Sequence, residues 1–217
     1  MSAYRLYDYA ASGNCYKVRL LLAQLGLEYE RVPVDIFAGE TLTEEFAAIN
    51  PARSTPVLEL LDGRRLPESG AILTFLARGS ELLPEDPFEQ AQVLRWLLFE
   101  QSELMPATGG LRFRLVTGRL GRDDPRARAR HEAGIEVLGL LDGHLREHPF
   151  LVADRYTIAD IAVYGYTHVA HEAGLPVGDF PAVGAWLERV ATQPGYMNDL
   201  APYPPNAWPG RGRSIYD

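Results

Sequence analysis

Ser12, Asn14 and Cys15 fall within four positions, in the run S-G-N-C-Y-K-V. Cys15 is the only cysteine in the chain. A cysteine thiolate is a nucleophile, whereas a serine hydroxyl or an asparagine amide can donate a hydrogen bond to a negative charge. Each residue also has a plain structural use. Serine just before a helix is a favoured N-cap, and asparagine is a cap or turn residue. Cys15 shares a helical stripe with Val18, Leu22 and Leu25, which turns its thiol toward a core as a small hydrophobe. Spacing thus demotes the cysteine and leaves the division of work between Ser12 and Asn14 open.

Other chemical patterns are weaker. His144/His148 and His168/His171 have helical spacing. Neither pair has a carboxylate in a known ligand pattern, and H-E-x-x-H is absent, so no metal is expected. There is no G-x-G-x-x-G run, hence no dinucleotide fingerprint.

These residues need elements to hold them. Of 217 residues, 47% are hydrophobic and 23% charged, enough for a buried core. A net charge of −8 argues against nucleic-acid partners and anionic membrane surfaces. No apolar run reaches the ~18 residues of a membrane span. The start, M-S-A-Y-R-L-Y-D, lacks a signal pattern. With one cysteine and no export signal, a cytoplasmic location is expected.

Residues 1–80 alternate strand and helix patterns in the order β-α-β-α-β-β-α. Strand candidates are 4–9, 29–34, 56–61 and 64–66, the last two joined by the hairpin signal Asp62–Gly63. Helix candidates are 14–26, 43–49 and 68–78. The first β-α-β requires parallel strands, and the hairpin an antiparallel pair. Residues 81–87 read as a proline-marked linker. A helical-bundle domain is expected over 88–200, with helices at 88–116 (disturbed near Pro106 and Gly109–Gly110), 124–147, 157–174 and 181–193. The 201–217 tail is too rich in proline and glycine for regular structure. The fold class is therefore α/β plus all-α.

Four segments resemble the cytosolic glutathione transferase family over residues 4–196. They are S-G-N-C-Y-K-V-R-L-L-L, A-G-E-T-L-T-E-E-F-A-A-I-N-P-A-R-S-T-P-V-L, D-G-R-R-L-P-E-S-G-A-I-L-T-F-L-A and F-L-V-A-D-R-Y-T-I-A-D-I-A. The resemblance is nearest to bacterial-type members, either serine-type (theta-like or delta-like) or nu-like. It implies a thioredoxin-like N-terminal domain, a homodimer and glutathione as co-substrate.

The resemblance also implies roles. Thr55–Pro56 falls at a cis-proline whose backbone pairs with the glutathione peptide. Proline makes a cis bond accessible at a cost of ~0.5–1 kcal/mol. Glu68 and Ser69 would hold the ammonium and carboxylate of the γ-glutamyl group, the latter at a helix N-terminus. Arg53 matches a contact to the glycyl carboxylate in some classes, or is a surface arginine. Thr41 falls where one class has a glutathione-contacting histidine, and Ser54 replaces a residue that is often basic in the family. Met105, Ala107 and Leu111 are candidate walls for a small hydrophobic electrophile. Thr157-Ile158-Ala159-Asp160 is a structural capping box.

Catalysis in this family needs a thiolate. Lowering a thiol pKa of ~8.5 by about two units takes ~3 kcal/mol, within reach of one charge-assisted hydrogen bond plus a helix N-terminus. Asp8 stands where one branch has a tyrosine donor, and a carboxylate there would oppose the thiolate. Ser12 matches the donor of serine-type classes. Asn14 matches an asparagine of nu-like members, which largely reduce disulfides. Cys15 matches a beta-class cysteine that forms a mixed disulfide. The expected function is conjugation of glutathione to a hydrophobic electrophile. The alternatives are glutathione-dependent disulfide reduction or thiol transfer, and non-catalytic ligand binding.

Overall fold

The computed structural model describes residues 3–216. It comprises two compact units. One runs to Leu76 and is rejoined by the segment from Met197 onward; the other is Ala77–Tyr196.

The first unit is built on a four-stranded sheet of order β2-β1-β3-β4, with β1 at Tyr4–Asp8, β2 at Tyr29–Pro33, β3 at Val57–Leu60 and β4 at Arg65–Pro67. β1 and β2 are parallel, from Tyr4↔Tyr29 to Asp8↔Pro33. β1–β3 and β3–β4 are antiparallel, aligning Tyr7, Val57 and Pro67. Asp62–Gly63 closes the hairpin with Gly63 at φ 82°, a left-handed value that glycine adopts without a Cβ penalty. The helices are α1 (Gly13–Gln24), α2 (Glu44–Ile49) and α3 (Ser69–Leu76). This is the expected β-α-β-α-β-β-α thioredoxin-like order.

α1 has more than one buried stripe. Residues 15–22 are all buried, including Lys17 and Arg19. Period alone marks Cys15, Val18 and Leu22 as inward, but the segment after Met197 lies along this helix as well. The Tyr16 hydroxyl donates to Met197 O (2.9 Å), and Arg19 Nε pairs with Asp199 (2.9 Å). Farther along, Ala201 N donates to Ala10 O (3.1 Å), Asn206 Nδ2 to Asp35 Oδ2 (2.9 Å) and Arg213 N to Phe37 O (2.8 Å). The Pro/Gly-rich tail lacks strands and α-helices, yet its backbone is anchored at several points to the first unit.

In the second unit, the long helix expected over 88–116 is interrupted near Pro106 and Gly109, as expected, and also earlier, at Glu100. α4 (Pro87–Phe99) runs into a π-helical turn at Glu100–Leu104, then α5 (Met105–Ala107) and α6 (Gly109–Val116). A Cβ on Gly109 would fall 2.4 Å from the Tyr166 ring, so α6 needs glycine to approach its neighbour. α7 (Pro125–Leu145), α8 (Ile158–Thr167) and α9 (Pro181–Ala191) follow. α8 is shorter than the expected 157–174 stretch: a 3-10 turn at Ala170–Ala173 leads to Gly174 at φ 80°. Every residue of α8 is buried. Among the described residues, no helix is long and apolar enough to cross a membrane.

The Thr157/Asp160 capping box forms as expected, with Asp160 Oδ2 accepting from Thr157 N (3.0 Å). Sequence spacing did not disclose the other half. Asp160 Oδ1 accepts from Leu151 N (3.1 Å) and from Trp186 Nε1 (2.9 Å). One carboxylate thus joins α8, α9 and the loop before α8.

Candidate active site

The sheet register brings separate sequence motifs to one end of the first unit. β1 delivers the chain to Ser12. Thr55 and Pro56 precede Val57, the partner of Tyr7, while Glu68 and Ser69 follow Pro67, the partner of Val57. The Thr55–Pro56 bond is cis.

Ser12 is half-buried and caps α1: its Oγ accepts from Cys15 N at 3.3 Å. That contact uses a lone pair of the hydroxyl and leaves its proton to a sulfur, the Cys15 thiol being one acceptor within reach. Capping and donation to a sulfur are therefore compatible.

Cys15 is fully buried. Its sulfur accepts from Tyr9 N at 3.3 Å and lies within reach of the Thr55 and Ser12 side chains. Burial, followed by the charge of Asp8, pushes the thiol up to about 11 against those hydrogen bonds. At neutral pH the group is a protonated, inaccessible thiol, a poor nucleophile.

Asn14 is half-buried on the first turn of α1. Its Oδ1 accepts from Lys17 Nζ at 2.8 Å, and its Nδ2 forms no hydrogen bond among the described residues. Lys17 lies in the run that first drew attention to the site, three residues beyond Asn14, and that spacing was the available signal for the contact.

Asp8 and its chain neighbours Tyr7 and Tyr9 make different contacts. Tyr7 donates its hydroxyl to Glu59 (3.2 Å), and the Tyr9 ring meets Phe37 edge-on at 5.8 Å. Burial, then nearby Tyr203 and Asp35, pushes the Tyr9 hydroxyl above its ordinary range. Asp8 is buried and paired with Arg19 and Arg31, and Arg19 continues to Asp199. These arginines balance the carboxylate. Nothing in local spacing links residues 8, 19, 31 and 199.

Glu68 sits at φ 71°, a region that costs a non-glycine residue about 1–3 kcal/mol and recurs at ligand sites. It is exposed, and its carboxylate makes no hydrogen bond or ion pair among the described residues. Ser69 is buried as the first residue of α3. Arg53, at φ 54°, donates to Thr41 O (3.2 Å), Thr43 O (2.9 Å) and Glu44 (2.8 Å). Its terminal nitrogens hold the turn before α2.

The electrophile-pocket candidates lie in the second unit. Met105 is half-buried, and Ala107 and Leu111 are buried. Leu111 lines a cavity of about 300 Å³ with Leu115, Ala127, Arg122 and His131. His148 pairs with Asp154, and His168 Nδ1 with Tyr164 O.

A thioredoxin-like sheet domain followed by a helical domain, with a serine cap on the first helix, a cis-proline and a Glu-Ser helix start, is the architecture of the glutathione S-transferase class. Residues 6–82 match the glutathione S-transferase N-terminal domain, and residues 104–194 its C-terminal domain. Glutathione S-transferase 3 of Zea mays is 32% identical over 94% of this chain and 97% of its own. The chain belongs to the glutathione S-transferase family. Its fold matches a glutathione S-transferase from Pseudomonas fluorescens with a TM-score of 0.89 and 43% identity, covering 92% of this chain and 100% of that one. It also matches a Pseudomonas putida glutathione transferase with one glutathione disulfide bound per subunit: TM-score 0.80, 28% identity, 92% and 91% coverage.

Proposed function

We propose that this protein conjugates the glutathione thiolate to a small hydrophobic electrophile, with Ser12 as the thiolate donor. The observation that carries this reading is the Ser12 hydroxyl. It caps α1 through a lone pair, which leaves its proton available to a sulfur acceptor, and it stands at the sheet end shared by Thr55–Pro56 and Glu68–Ser69. Glutathione would lie with its peptide along Thr55–Pro56, its ammonium at Glu68 and its carboxylate at Ser69 and the α3 N-terminus. Residues 1–80, together with the segment from Met197 onward, act as the glutathione-binding domain, and Met105, Ala107 and Leu111 of the helical domain are the proposed contacts of the second substrate. Arg53 contributes by fixing the 41–44 turn. The protein works in the cytoplasm as a homodimer. The exposed Leu94 and Leu98, one turn apart on α4, supply apolar area for a second copy.

Loss of one charge-assisted hydrogen bond of about 1.5–3 kcal/mol should cut conjugation kcat/KM of Ser12→Ala by about 10–100-fold. Cys15→Ala should leave it near wild type. A wild-type protein whose melting temperature does not respond to glutathione would refute the reading.

The free Asn14 amide favours a second activity, glutathione-dependent disulfide reduction, in which Asn14 stabilises the same thiolate. Asn14→Ala should then depress disulfide reduction more than conjugation.

A further inference from the structure

We propose that Lys17 is a positioning residue for thiolate formation. It holds Asn14 by the oxygen, so that the Asn14 Nδ2–H group, polarised by the lysine charge, is presented to the sulfur of bound glutathione. The proposal rests on the glutathione reading above.

The chemistry of the contact fixes the orientation of the amide. A lysine ammonium carries donors only, so the Asn14 atom facing it at 2.8 Å must be the carbonyl oxygen. The two ends of an asparagine amide otherwise look alike, and only the hydrogen-bond network distinguishes them. Here that leaves Nδ2 pointing away from Lys17, unbonded among the described residues and on a half-buried side chain. It sits on the first turn of α1, two positions after Ser12, where the helix dipole already favours negative charge.

Lys17 is fully buried. A hydrogen bond to an ionised donor is shorter and about twice as strong as a neutral one. Drawing electron density from Oδ1 makes the opposite N–H a stronger donor. Elsewhere around α1, Asp8 pairs with Arg19 and Arg31, and Asp199 pairs with the same two arginines. Glu68, just before the packed helix α3, is exposed and reserved for the glutathione ammonium in the reading above. Two donors, Ser12 O–H and Asn14 N–H, would then serve one sulfur.

The test is the pKa of the glutathione thiol in the complex, read from thiolate ultraviolet absorbance across a pH series. The proteins compared are wild type, Lys17→Met, Lys17→Arg, Asn14→Ala and the Lys17→Met/Asn14→Ala double variant. Lys17→Met should raise the bound thiol pKa by about one unit, leaving about tenfold less thiolate below that pKa. Lys17→Arg, which keeps the charge and the donors, should restore most of it. Asn14→Ala should raise the pKa on its own, and Lys17→Met should add little in that background.

An unchanged thiol pKa in a folded, glutathione-binding Lys17→Met protein would overturn the proposal. So would a Lys17→Met shift of full size in the Asn14→Ala background, because the lysine would then act as a direct charge. Where Lys17→Met does not fold, Lys17→Gln takes its place in the cycle with the same expected sign. Absence of a glutathione-induced melting shift in wild type would instead sink the functional reading itself.

Discussion

Two buried carboxylates, one in each unit, are stabilised in opposite ways. Glu59, on β3, accepts from Arg5 (2.9 Å), Arg65 (2.6 Å) and the Tyr7 hydroxyl (3.2 Å). Burial pushes its pKa up, but the Arg65 and Arg5 hydrogen bonds outweigh it and hold the group below its ordinary value. Asp160, at the head of α8, accepts from two backbone amides, the Thr157 hydroxyl and the Trp186 indole. Its donors are neutral. Complete burial outweighs them and carries the pKa up to about 6. Hydrogen-bond number alone does not decide ionisation; cations among the donors do. The sheet unit makes its acid permanently charged, whereas the helical unit uses its acid as a hub that joins elements.

The largest way to break this contrast is Asp160→Ala. It leaves the Leu151 amide, the Thr157 amide and the Trp186 indole without an acceptor in a dry core. We expect a loss of about 3–5 kcal/mol in denaturant unfolding, well beyond that of an ordinary cap. Unchanged melting with lost activity would mean that Asp160 has a chemical role instead.

pH sharpens the comparison. Asp160 has a folded pKa near 6 against an ordinary value of 3.8. Its favourable contribution is complete below the lower value and is lost as pH rises through about 6. His168 is the reverse: burial lowers its pKa from 6.5 to about 4, so its contribution is present above 6.5 and lost as pH falls through about 4. Each spans roughly 3 kcal/mol, with opposite signs, so the two largely cancel in wild type. His168→Phe should uncover the Asp160 slope, and unfolding midpoints should improve on acidification from neutral pH toward 4. A flat profile in that variant would contradict the Asp160 assignment.

Glu59→Gln should cost less, about 1–2 kcal/mol, because Arg5 and Arg65 are partly exposed and can turn to water. A cost matching Asp160→Ala would erase the distinction between the units. Asp199→Ala is smaller again. Arg19 keeps Asp8, so global stability should fall by only about 1 kcal/mol, while hydrogen exchange at Ala201 and Arg213 should accelerate as the tail loosens.

Much of the fold was legible because its signals are local. The Asp62–Gly63 turn and the Ser12 and Thr157 caps each act within a few residues, and the parallel and antiparallel pairings follow from connection lengths. The interruption of the 88–116 helix was marked by Pro106 and Gly109, but its form depends on Tyr166, a long-range neighbour. At the candidate site, Ser12, Asn14, Thr55–Pro56 and Glu68–Ser69 could be named from residue type and position. The burial of Lys17 and Arg19 could not, because the 3.6-residue period marks only one face of α1, and the other is covered by a segment about 180 residues away in sequence.

The sequence by itself determined the order of elements, since caps, turns and hydrophobic period are properties of neighbouring residues, while the family and the candidate site residues came from the resemblance of four segments. Tertiary structure alone decided how those groups are used. It buried Cys15 until its thiol was raised to about 11. It matched Asp8 with Arg19 and Arg31, set the Ser12 hydroxyl on the α1 cap through a lone pair, and turned the Asn14 amide by its contact with Lys17. Desolvation and charge pairing act through space, and the partners that set them come from strands, helices and a tail far apart in the chain.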